Sequence, residues 1–378
     1  MDTLIDSFAS LQAWLFETCI QPLVFAMGFG GYLDLAFGAT EWLLVGLLEI
    51  AVLMSVLGPL QRWRPVEPAI DVATIRTDVL YTLLHRLGLF RLVLFFTVDP
   101  FLDSAIGTLR VWGLPTFHLD DIWPAFTGHA LVSFVLYLLV FDFFSYCYHR
   151  AQHQFHWWWQ LHALHHAQRQ MTMWSDNRNH LFDDALRDVF FVFLAVLIGV
   201  APGQFLALVA LMQLSENLQH ANLRVWFGRI GERLWVSPRF HRMHHAIGIG
   251  HESEAPAANG TPAVLGGCNF GVLLPWWDML FGTADFTLAY PATGVRDQVE
   301  QGRDYGRGFW SQQWRGVLRL IQNDECIVQG ASSHESQRCD FQRTAFKGFL
   351  DFVKTHEFIQ RVVKRAQIRI NLLSQIAG

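Results

Sequence analysis

Charged residues are scarce in this chain of 378 residues. Asp, Glu, Lys and Arg together make up 16% of it, whereas hydrophobic residues make up 52%. The mean hydropathy of +0.24 is high for a soluble domain of this size. The net charge of −5 is small and gives no indication of nucleic-acid binding. The composition therefore predicts an integral membrane protein.

Cysteine is also rare, and its five positions are scattered without a C-x-x-C pair. This pattern argues against a disulfide framework, a zinc ribbon and an iron–sulfur site. The sequence shows no haem-binding C-x-x-C-H, and no G-x-G-x-x-G follows a predicted strand. Any redox chemistry is therefore expected to need an electron donor from outside the chain.

Long apolar runs predict the membrane spans. A spanning helix needs about 20 mostly apolar residues, and Glu41–Leu60 and Ala130–Cys147 meet this requirement. Val79–Val98 is long enough but carries two arginines, and the glycine-broken Leu11–Gly38 either spans or lies in the interface. Basic residues follow the first span and acidic residues precede Ala130, so the positive-inside rule predicts that Ala130–Cys147 ends on the cytoplasmic side.

Histidine residues are clustered in the sequence. Ten of its 17 histidines form one H-x-x-x-H motif, two H-x-x-H-H motifs and two single positions between the last two motifs. Neutral imidazole is a good ligand for iron, copper, nickel and zinc. The predicted metal ligands are His149, His153, His162, His165, His166, His180, His220, His241, His244 and His245.

The spacing within these motifs predicts two metal ions. Residues i and i+4 share a helix face, so His149 and His153 can bind one ion. In H-x-x-H-H, the residues i and i+3 share a face, whereas the adjacent third histidine points about 100° away. Asp142 lies on the helical face of His149 and is either a partner of these imidazoles or a surface charge. His156 belongs to no motif, although it could face the cluster.

The linker between the second and third motifs decides whether all three lie on one side. Val189–Leu214 is apolar but interrupted by Ala201-Pro202-Gly203, and Pro-Gly is a turn signal. Two short arms that enter the membrane and return would bring all ten histidines to the cytoplasmic face. The alternative is that these arms belong to a soluble core.

These motifs resemble the fatty acid hydroxylase/sterol desaturase superfamily of membrane-bound oxygenases. The resemblance runs from about Leu131 to Asp285 and includes HRAQH at His149–His153, RNH ending at His180 and FHRMHH ending at His245. It also includes CNFG and WWDMLFGT further on. It implies an all-α integral membrane protein, with a transmembrane helical stalk and a cytoplasmic, histidine-rich metal-binding cap.

The resemblance also implies the chemistry. The expected cofactor is a pair of non-haem iron ions, and the expected reaction is O₂-dependent hydroxylation or desaturation of a C–H bond. The substrate would be a sterol, a fatty acyl chain or a related membrane lipid. A ferredoxin or a cytochrome b₅-type protein with its reductase would supply electrons. Alternatives are a zinc-dependent membrane hydrolase, although H-E-x-x-H is absent, and a non-catalytic haem- or metal-binding membrane protein.

Three regions are predicted along the chain. Residues 1–130 form the N-terminal transmembrane region, residues 131–285 the catalytic domain, and residues 286–378 a polar tail. All three lysines lie after residue 346, where the spacing of apolar residues indicates a basic amphipathic helix.

Overall fold

The computed structural model describes residues 2–321, apart from positions 116, 123, 125–127, 252–253 and 256–263. The described part is mostly helical, as expected, with one antiparallel pair of two-residue strands, β1 (Glu254–Ala255) and β2 (Val264–Leu265). Its α-helices, in chain order, are α1 (Asp2–Leu15), α2 (Gln21–Ala26), α3 (Leu33–Val52), α4 (Gly58–Trp63), α5 (Val72–Arg86), α6 (Leu89–Thr97), α7 (Asp99–Val111), α8 (Ala130–Gln154), α9 (His156–His166), α10 (Leu181–Ile198), α11 (Pro202–His220), α12 (Gly228–Gly231), α13 (Pro238–His244), α14 (Trp276–Phe281), α15 (Arg296–Glu300) and α16 (Phe309–Ile321).

Two helical stretches are long and apolar enough to cross a membrane, namely Gly30–Trp63 and Ala130–Gln154. They contain the two predicted spans, and the first runs from α3 through a π-helical turn into α4. The less regular Val79–Val98 stretch is divided between α5 and α6, which bend by 53° and form a third span only if taken together. Gly88 permits this bend with a positive φ of 73°.

The predicted apolar hairpin is present as α10 and α11, which are separated by Gly199–Ala201. Both helices pack against α8, where Leu194 and Leu208 join Tyr137 and Phe141 in one buried cluster. Gly199 ends α10 with φ of 71°, and a Cβ there would lie 2.3 Å from the His118 ring. The hairpin therefore rests on the same helix that carries the first histidine motif.

Helix α16 packs against the helices before it, although it lies within residues 286–378, which the sequence assigned to a tail. It packs along α9 and α5, and Val295 and Tyr305 before it join Trp159 in a buried cluster. Gly316 makes the close approach possible, because a Cβ at this position would lie 2.2 Å from the His180 ring. The predicted boundary at residue 285 thus separates segments that the structure packs together. Residues 322–378, including the predicted basic helix, lie outside the described residues.

Candidate metal centre

Nine of the ten predicted ligands lie together in two buried groups. The five-histidine group comprises His149, His153, His162, His166 and His244, and the four-histidine group comprises His165, His220, His241 and His245. Within each group, one ring nitrogen from every member lies within 4.8 Å of those of the other members. The rings of His166 and His245 stack at a centroid distance of 4.3 Å, so the two groups adjoin. The arrangement offers two neighbouring positions for metal ions.

In each H-x-x-H-H motif, the first and last histidines belong to one group and the middle histidine belongs to the other. The outer residues of the first motif, His162 and His166, join the five-histidine group, whereas His165 joins the other group. The second motif reverses the assignment, because only its middle residue, His244, joins the five-histidine group. Side chains four residues apart diverge by about 40° around a helix, against about 60° for three residues. The structure therefore corrects the spacing argument, which had paired i with i+3.

The four-histidine group has the spacing of a coordination shell. His220 Nε2 lies 3.0 Å from the Nε2 atoms of both His165 and His241, and the Nε2 atoms of His241 and His245 are 3.1 Å apart. Nitrogen ligands about 2.0–2.1 Å from one metal ion would be roughly 2.9–3.4 Å apart. The observed distances fall within this range.

Unpartnered ring nitrogens in the five-histidine group also fit a metal ion. Among the described residues, His153 and His166 have no hydrogen-bond partner at either nitrogen, and His162 and His244 have none at Nε2. Buried polar atoms are normally paired, because leaving them unpaired costs free energy. A bound cation would satisfy these nitrogens, so the residues present fit the pair of metals that the sequence implies.

Backbone carbonyls orient several of the rings. The Nδ1–H groups of His149, His244 and His220 donate to the carbonyl oxygens of Phe270, Cys268 and Glu216 at 2.9, 2.7 and 2.7 Å. This fixes the tautomer and leaves each Nε2 available to a metal. His162 Nδ1 is 3.4 Å from a carboxylate oxygen of Asp183, one of the acidic residues near His180 in the sequence. The sequence did not predict that backbone carbonyls orient the rings. It did identify the CNFG motif, which supplies two of these carbonyls.

Two buried aspartates shape the segment that carries these carbonyls. Asp142 accepts hydrogen bonds from Leu273 N and Trp277 Nε1, both at 2.8 Å. Asp278 accepts from Phe270 N at 2.9 Å and Gly271 N at 2.7 Å, and burial raises its pKa to about 6. The sequence left open whether Asp142 is a partner of the imidazoles or a surface charge. It is neither, because its buried carboxylate binds the loop at Leu273 and Trp277. The importance of Asp278 was not predicted.

Burial keeps most of these imidazoles uncharged by lowering their pKa values. It lowers the pKa of His244 to about 3 and moves the pKa values of His165, His166 and His245 well below their usual range. Neighbouring histidines lower the pKa of each of these four rings further, because one protonated imidazole disfavours the next. The rings are therefore neutral near pH 7, the form that binds metal.

His180 lies outside both groups. Its Nδ1 accepts from Phe182 N at 3.3 Å, and its Nε2–H donates to the Gln313 carbonyl at 2.9 Å. It thus caps the start of α10 and holds α16, and both ring nitrogens are engaged. His156 also lies outside the groups, with its ring centroid 5.0 Å from that of His251.

A pocket with a cavity volume of about 60 Å³ opens beside the histidines, and we name it the polar pocket. His149 and His162 of the five-histidine group line it, as do His165, His220 and His241 of the other group. A molecule in this pocket would therefore be next to both metal positions.

Comparison with known proteins identifies the region that contains the site. Residues 134–283 match a family model described as fatty acid hydroxylase. This region belongs to the fatty acid hydroxylase family. The match confirms the resemblance drawn from the histidine motifs, and the hydroxylase region contains all nine grouped histidines.

Two curated relatives support the assignment. The chain is 28% identical over 206 residues to an ornithine lipid hydroxylase, OlsE, of Rhizobium tropici. The aligned region covers 54% of this chain and 56% of the relative. It is 25% identical over 162 residues to a fatty acid hydroxylase, vlmA, of Lecanicillium sp. This aligned region covers 39% of the chain and 40% of the relative. The chain thus spans about half the length of these relatives. No solved structure matches it.

Proposed function

We propose that this protein is an O₂-dependent, non-haem di-iron lipid hydroxylase. The observation that carries the proposal is the pair of buried histidine groups within the hydroxylase region. The five-histidine group would hold one iron ion and the four-histidine group the other. When bound, the two ions would supply the redox chemistry that activates O₂ for attack on a C–H bond. The names of both relatives favour hydroxylation over desaturation.

The chain's own residues would prepare this chemistry in three ways. Burial keeps most of the imidazoles neutral, so that no proton has to leave these rings before an ion binds. The carbonyls of Cys268 and Phe270 orient His244 and His149 toward the metals. The nine grouped histidines are buried, which would limit access of water and protect a reactive centre from side reactions.

The reaction requires electrons from outside. Insertion of one oxygen atom of O₂ into a C–H bond, with reduction of the other to water, consumes two electrons and two protons. We propose that a ferredoxin or a cytochrome b₅-type protein with its reductase supplies the electrons. The donor would reach the cap from the cytoplasm, the side that the basic residues after Leu60 favour.

The proposal is tested with purified full-length protein in detergent. We expect two iron ions per chain by elemental analysis, and one added oxygen in a lipid product when O₂, NAD(P)H, donor and reductase are all present. Omission of the donor should stop turnover. One zinc ion without iron would indicate a hydrolase, haem absorbance would indicate a cytochrome, and loss of two hydrogens would indicate a desaturase; each outcome contradicts the proposal.

A further inference from the structure

The outer face of α16 carries a row of large apolar side chains. Trp310, Trp314 and Ile321 are 80%, 61% and 62% exposed. At about 100° per residue, the three lie within about 40° of one another around the helix axis. We name these three residues the tryptophan stripe. Apolar surface concentrated in this way marks a region that contacts a membrane or another protein.

The face of α16 that packs against the protein is largely polar. Gln312 and Arg319 are buried, and Arg319 Nε donates to the Gln160 carbonyl at 3.1 Å. Gln313 Nε2 donates to Tyr81 Oη at 2.9 Å. These hydrogen bonds fix the rotation of the helix and turn the tryptophan stripe outward. A surface helix normally buries its apolar face, so packing within the described part of the chain does not account for the stripe.

The elements beside the stripe also expose apolar side chains. Gln313 lies about 60° from Trp310 around the helix, and its amide forms hydrogen bonds with α5 and with the first residue of α10. Leu80 in α5 and Phe182 in α10 are exposed. Helix α5, taken together with α6, is the third candidate membrane span. The tryptophan stripe therefore adjoins an element that leads into the membrane.

The composition of this surface fits a bilayer. Tryptophan is favoured at the membrane–water interface, because its ring is apolar and its N–H is polar. Arg307 precedes the helix and Arg315 follows Trp314, and both arginines are exposed. Guanidinium groups bind phosphate well, so these residues suit the head groups of phospholipids.

The stripe is small for contact with a second copy of the chain. Complete coverage of both indoles would bury at most roughly 500 Å². A stable protein–protein interface buries about 800 Å² on each partner. A lipid surface has no such requirement, because it is continuous and adapts to the shape of the side chains.

We propose that the tryptophan stripe contacts the surface of the phospholipid bilayer, with α16 lying at the membrane–water interface. Helix α16 packs on α9, which supplies His162, His165 and His166 to the two histidine groups. Contact of α16 with the bilayer would hold these histidines close to the membrane surface. The inference goes beyond the proposed hydroxylase function and does not depend on it.

Photocrosslinking tests which molecule covers the stripe. The full-length protein is placed in bilayers of phosphatidylcholine and phosphatidylglycerol, with the photoreactive residue benzoylphenylalanine at position 310. The matched control carries it at Ser311, which is exposed on the same helix but points about 100° away from Trp310. We expect severalfold more phospholipid adduct at position 310 than at position 311, measured by mass spectrometry of the labelled peptide.

Every other result of this experiment contradicts the proposal. A cross-link between two chains would show that a second copy covers the stripe. A cross-link to residues 322–378 would show that this segment covers it. Equal lipid adducts at both positions, or none at either, would show that the stripe is not the face of α16 that meets lipid.

Tryptophan fluorescence provides a second measurement with smaller substitutions, in case the photoreactive residue disturbs folding. The fluorescence lost in Trp310→Phe and Trp314→Phe is that of the two stripe indoles, and Trp159→Phe isolates a buried indole as the control. Brominated phosphatidylcholine, compared with the same lipid without bromine, should quench the stripe indoles severalfold more than the Trp159 indole. Equal or weaker quenching of the stripe would overturn the proposal. Neither measurement requires turnover, so failure here would leave the hydroxylase proposal standing.

Discussion

The two histidine groups differ in their relation to the polar pocket. Three of the four members of the four-histidine group line it, and His245 is the exception. Only two of the five members of the other group do so, and Phe270 packs against His149, His153 and His244 behind them. Open coordination positions distinguish reactive metal sites from structural ones. The four-histidine group is thus the more open site, and the five-histidine group the more enclosed one.

Single alanine substitutions give the largest expected effect and test this difference directly. His166→Ala should empty the five-histidine group and His245→Ala the four-histidine group, each lowering iron from about two ions per chain to about one. Product formation should fall by at least roughly 10–100-fold in both variants, since even indirect supports of a metal site cost that much.

Iron content and product are measured at matched expression, with His118→Ala as the control. His118 contacts the Gly199 carbonyl at 3.3 Å, outside both histidine groups. Full iron content in either motif variant would show that the group in question does not hold a metal.

The sequence alone predicted more of the metal site than of the fold. Motif spacing identified nine histidines that the structure brings together, because each motif lies on or beside a helix whose geometry is regular. It could not show that His180 is engaged by Gln313, since that contact joins residues 133 positions apart. For the same reason it assigned α16 to a tail, because α16 contacts α5 and α9, which lie far from it in the sequence.

Gly316→Ala should give the next largest effect. Alanine is better than glycine in an exposed helix by about 1 kcal/mol, but here the new Cβ would meet the His180 ring. We expect a lower melting temperature because close-packed sites resist added volume. Gly203→Ala is the control, since open space surrounds Gly203 in α11.

The same variant sharpens the comparison of the two groups. Helix α16 packs on α9, which supplies His162 and His166 to one group and His165 to the other. Both groups should therefore lose iron to a similar extent in Gly316→Ala. An unchanged or raised melting temperature would show that α16 does not need this close approach.

Acidification should weaken the metal-free protein moderately. The pKa values of His244 and its neighbours are lowered on folding, so the unfolded chain binds more protons below a pH of about 6.5. Stability is therefore fully present above that pH and falls as the pH drops from about 7 to about 5. Melting temperatures across this range provide the measurement, and a rise on acidification would contradict the lowered pKa values.

Truncation after Ile321 should have the smallest effect. The described residues end with α16 intact, and neither histidine group includes a residue beyond His245. The shortened protein should keep both iron ions and most of its activity, whereas truncation after Gly308 removes α16 and its contact with His180. Iron content of the two truncations, measured side by side, separates the roles of α16 and the residues after it. Loss of iron from the longer truncated protein would mean that residues 322–378 support the metal centre.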